Sequence, residues 1–157
     1  MSRTKKLTFS GVMSAGAVVL LIVGRLMPTG QPGFAAVASL FAAAAAIECG
    51  ELWGLAVWGV SGALALILLP GSASVWLYSA FFGYYPVVKL FAERRLPTVP
   101  AWIVKLAAYA VSATVITLVW RPYKPIVAIV GAAAFVVFDI GYSKLIVFYR
   151  ARISRKR

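Results

Sequence analysis

The chain has 157 residues, 62% of them hydrophobic, more apolar surface than a water-soluble domain of this size buries, so lipid must cover the excess. Sixteen Lys and Arg stand against four acids (Glu48, Glu51, Glu93 and Asp139) for a net charge of +12, with no His and one cysteine, Cys49. An intramolecular disulfide and a His-based or multi-Cys metal site are excluded, and because the basic residues gather at the chain ends and between apolar runs, anionic lipid headgroups rather than nucleic acid are the expected partner.

In chain order, Ser2-Arg3-Thr4-Lys5-Lys6 leads into an apolar run over residues 7–26. No clear small-x-small cleavage site precedes Gln31, so the run reads as an uncleaved first span. Further apolar runs cover 33–47, 52–69, 75–91, 102–120 and 126–148, most of them near the roughly 20 residues that cross hydrocarbon as a helix. Proline and glycine clusters at 28–33, 70–72, 97–100 and 121–125 punctuate them. The second run is short and is parted from the third only by Glu48-Cys49-Gly50-Glu51, so 33–69 reads either as two full spans or as a re-entrant hairpin.

The expected fold is therefore all-α, a single transmembrane domain over 1–157 with about six helices. With the N-terminus inside, Arg94, Arg95 and the basic C-terminus also lie inside, while Arg25, Arg121 and Lys124 lie outside, an asymmetry that predicts both ends cytoplasmic. Small residues recur four apart at Gly11 and Ala15, at Ala38, Ala42 and Ala46, at Gly50 and Gly54, and at Gly59 and Ala63. That spacing lets helix backbones approach closely in lipid, within the bundle or against a partner helix.

Asp139 falls well inside the sixth run, where an unpaired carboxylate would cost at least about 2.5–3.5 kcal/mol on the insertion scale. Lys105 and Lys89 are near the cytoplasmic ends of their spans and within reach, so the expected arrangement is a structural ion pair, with a proton or ion relay as the alternative. In the fourth run, Phe81-Phe82-Gly83-Tyr84-Tyr85-Pro86 carries a proline that deprives the Phe82 carbonyl of its helical bond, bending the helix around a ligand cavity or simply shaping the packing. On the outer side Arg25, Gln31, Trp76, Tyr78, Trp120, Arg121, Tyr123 and Lys124 form an aromatic and basic set. It is read as an interfacial belt, or as the mouth of a pocket for a small aromatic or anionic solute. No phosphate loop, Gly-x-Ser-x-Gly or acid cluster is present, so no enzyme, metal or cofactor is expected.

The stretch AAAAAIECGELWGLAVWGVSGALALILL, residues 42–69, is a small-residue helix, a Gly turn and a Gly-rich helix ending at Pro70. It resembles the pattern of the S component, the substrate-capturing subunit of bacterial energy-coupling factor transporters, and the likeness in organisation covers most of the chain. The resemblance implies six helices with cytoplasmic ends in the plasma membrane and outer-side capture of a small organic micronutrient near Arg25, Trp76 and Trp120. It further implies partnership with a transmembrane coupling subunit and ATPase subunits. The family's Ala-x-x-x-Ala contact for the coupling subunit would fall at Gly11 and Ala15, or at Ser10 and Ser14; its His-based metal site has no counterpart. The stretch Phe82 to Lys89 is also similar to one in small uncharacterised membrane proteins of Gram-positive bacteria. A noncatalytic membrane interaction or assembly role is the alternative function.

Overall fold

The computed structural model describes residues 2–27, 30–119 and 125–152, and among these every element is helical. Helix α1 spans Arg3–Leu26, α2 Gln31–Cys49 and α3 Glu51–Leu68. A short α4, Ala73–Leu77, runs into a π-helical turn, Tyr78–Phe82, and then α5, Tyr85–Arg95; α6 is Thr98–Val119 and α7 Pro125–Arg152. Among the described residues, four helices are long and apolar enough to cross a membrane: α1, α2, α3 and the Thr98–Ile116 part of α6.

Local chemistry sets the boundaries. Ser2 caps α1, its hydroxyl accepting from the Lys5 amide. The basic Arg3, Lys5 and Lys6 join the helix although hydropathy marks only the apolar run after them. Between α2 and α3 the chain turns on Gly50 alone, at φ +110, a conformation that side-chain-bearing residues avoid. Its amide neighbourhood is re-satisfied at once, since its carbonyl accepts from Trp53 and Gly54. Pro100 sits in the first turn of α6, where a missing N–H costs no helical bond. The stretch 97–100 thus parts α5 from α6, as its prolines lead one to expect, and its second proline falls in the first turn of the new helix.

The chain forms two compact units, Met1–Ile116 and Thr117–Arg157. In the first, α1, α2 and α3 pack through small residues. Ala17 and Leu21 meet Ala35, Ala38, Ala65, Val75 and Tyr78 in one buried cluster; Ala42, Ala45 and Val57 form another with Phe9, Met13 and Trp58. At Gly54 the helices come so close that a Cβ would lie 2.6 Å from the Ala46 Cβ and 2.9 Å from the Ala42 carbonyl oxygen. Ser10, Ser14, Ser39 and Ser61 are buried, whereas Val12, Val19, Val60, Ile67, Val111 and Leu118 point outward and are exposed. Leaving such a side chain in water instead of burying it costs roughly 1.5–3 kcal/mol. An exterior richer in large apolar side chains than the alanine and serine interior is stable only against lipid. In the second unit α7 buries Phe135, Asp139, Tyr142 and Ile146 on one face.

Candidate functional site

The feature that departs most from a plain bundle is the stretch from α4 to α5. Pro86 has no N–H to offer the Phe82 carbonyl, and its ring disfavours the helical conformation at Tyr85. The chain answers with a wider turn just before it: the Gly83 amide donates back five residues to the Tyr78 carbonyl, 2.8 Å away. Gly83 lies directly against the Trp58 indole, where any Cβ would collide with the ring.

Around this break several buried polar groups are engaged by neighbouring helices. Ser61 gives its one proton to the Val57 carbonyl at 2.6 Å, so the Tyr78 hydroxyl, 2.8 Å away, donates to Ser61. The Trp58 indole N–H donates to the Ser79 carbonyl at 3.2 Å. Below the break the Tyr84 hydroxyl reaches α6, donating to the Ala108 carbonyl at 3.1 Å and touching the Ser112 hydroxyl. The Trp58 and Tyr84 rings meet edge to face at 5.5 Å, and Phe81 stacks among Phe82, Tyr85 and Tyr109. Among the described residues three buried side-chain polar atoms have no hydrogen-bond partner: the Ser10 and Ser79 hydroxyls and the Gln31 side-chain oxygen.

Lower on α5 is a charge cluster. Lys89, wholly buried, and Lys105, nearly so, both reach the same Glu93 oxygen, at 2.9 and 2.6 Å. Lys105 also lies over the Trp102 ring and Arg95 over Phe91. Arg94 and Arg95 each come within 3.8 Å of Glu51 at the start of α3, exposed pairs of little energetic weight.

The sequence-derived residues distribute as follows. Arg25 is exposed at the end of α1 and Trp76 is half-buried in α4. Tyr78 is fully buried in the core, its hydroxyl committed to Ser61. Trp120, Arg121 and Tyr123, with Lys124, lie outside the described residues. The two pairs proposed for partner contact divide between faces of α1: Ser10 and Ser14 are buried, Gly11 and Ala15 exposed. Lys89 and Lys105 converge on Glu93; Asp139 is buried in α7, where the Ser143 hydroxyl bonds its backbone carbonyl. Glu93 is the residue that sequence reasoning passed over, although Lys89 and Glu93 stand four apart, the spacing of a helical ion pair. The chain matches no known family model, no curated protein and no solved structure. Function must therefore be argued from its own residues. Among those described, no three Cys, Asp or Glu side chains gather as metal ligands would.

Proposed function

We propose that the chain is the solute-capturing membrane subunit of an ATP-driven uptake system in a bacterial plasma membrane, taking a small organic micronutrient from the outer side. The observation that carries this reading is the interrupted stretch from α4 to α5. Non-helical backbone at membrane depth is tolerated where it is enclosed by protein or lines a cavity, and transporters use such broken helices to hold their solutes. The buried, unsatisfied Ser79 hydroxyl and Gln31 oxygen support the same reading, since a solute's donors or acceptors would complete them. Trp76, half-buried in α4, offers a ring for stacking, and Arg25, exposed at the end of α1, offers a cation.

Counting 73–95 as one interrupted span, and α7 as another, gives six spans with both ends cytoplasmic. The bundle itself carries no ATP-binding sequence, so energy would come from separate ATPase subunits through a coupling subunit. Gly11 and Ala15, exposed on α1, offer that subunit a small-residue face, and no ion or cofactor is invoked. The same face also favours a second reading, a noncatalytic assembly protein that holds a partner helix in the bilayer.

Purification of the tagged chain from its native membrane tests the choice. The uptake reading expects mass spectrometry to find a retained organic solute and coupling and ATPase subunits to co-purify. Recovery of a membrane partner with neither solute nor ATPase would favour the assembly reading and end the first.

A further inference from the structure

We propose that Arg94 and Arg95, the last residues of α5, form with the start of α3 a seat for the phosphodiester of an anionic phospholipid. Both guanidiniums turn to one carboxylate: Arg94 Nη1 lies 3.8 Å from one Glu51 oxygen and Arg95 Nη2 3.8 Å from the other. At that length neither contact is a hydrogen bond. Two cations facing one anion leave a positive charge over, and a phosphodiester carries the single negative charge that cancels it. Guanidinium N–H groups match phosphate oxygens two at a time, and here they are not committed to the carboxylate.

The surroundings suit a lipid rather than a free ion. The arginines follow an apolar run that ends at Phe91, at the boundary where lipid phosphates lie. The Arg95 guanidinium rests over the Phe91 ring, 4.8 Å from its centre, which holds the charge against an apolar surface open to the bilayer. Phe91 and Leu52, the residue after Glu51, are 40% and 81% exposed, and the acyl chains of a lipid held by the arginines would cover them. Arg94 and Arg95 are themselves exposed, so a headgroup reaches them without rearrangement of the helices. Glu51 is then a tethered competitor for the same two cations. The inference requires no solute and no coupling subunit, and it stands if the uptake reading falls.

Native mass spectrometry of the full chain, released from micelles doped with equal amounts of phosphatidylglycerol and phosphatidylcholine of matched acyl chains, tests it. The wild type should carry phosphatidylglycerol in preference, and Arg94→Gln and Arg95→Gln should each cut that preference roughly five-fold. Lys5→Gln removes the same charge from an exposed position on α1 and should change it by less than about two-fold. Glu51→Gln, which removes the competitor, should raise the preference, a gain that damage to the fold cannot imitate; Glu48→Gln should not. A large excess of inorganic phosphate should leave the lipid bound. No preference in the wild type, an equal loss in Lys5→Gln, or displacement by phosphate, which would point to a free anion as the ligand, overturns the seat.

Discussion

The trio of α1, α2 and α3 and the interrupted stretch from α4 to α5 solve the same problem in opposite ways. The trio packs backbone to backbone through Ala and Gly, with Gly54 wedged against the Ala42 carbonyl and little polar chemistry inside. The interrupted stretch fills its space with aromatic rings, and it fixes them by side-chain hydrogen bonds to whichever helix stands beside each one. In lipid, where apolar contact does not drive helices together, the first arrangement gives stiffness and the second gives specific, separable attachments. A membrane protein with something to do besides spanning needs both.

Glycine substitutions break that contrast most severely. Gly54→Ala should destabilise the protein by about 1–3 kcal/mol, because neither the Ala42 carbonyl nor the Ala46 Cβ can retreat, and thermal unfolding in detergent would register it. Gly83→Ala, driven into the Trp58 ring, should cost a similar amount. Glu93→Gln comes next. Removing one member of a fully buried ion pair costs about 3–5 kcal/mol, but the Glu93 carboxylate is two-fifths exposed, so about 1–2 kcal/mol is expected.

At the small end, Gly11→Ala should leave stability unchanged or raise it by up to about 1 kcal/mol, since open space surrounds the new methyl and helix propensity improves. Opposite signs for one chemical change at Gly11 and Gly54 would sharpen the distinction between an outward and a packed face.

Much of the trio was legible in the sequence. The runs 7–26, 33–47 and 52–69 fall inside or within one residue of α1, α2 and α3, because long apolar stretches between Pro and Gly have one stable form in lipid. Each of the two arms around Gly50 is long enough to cross, so the tight turn does not require a re-entrant hairpin. The interrupted stretch was only half legible. Pro86 announced a distortion, but a lone proline does not say that the chain will widen before it or that Trp58 will cover Gly83. Those depend on contacts twenty or more residues away. Glu93 was missed for another reason: Asp139, a lone acid in the middle of an apolar run, draws Lys89 and Lys105 as its expected partners, whereas a carboxylate at the polar end of a run, four residues after Lys89, carries a weaker signal.

The central claim is that the two halves of the interrupted span serve opposite sides of the membrane. Thiol labelling with a membrane-impermeant reagent tests it most directly, in a Cys49→Ser background carrying either Trp76→Cys or Arg94→Cys. The account predicts that Trp76→Cys reacts in intact cells and Arg94→Cys only in inverted membrane vesicles. Reaction of Arg94→Cys from outside, or of Trp76→Cys only from the vesicle exterior, would contradict it.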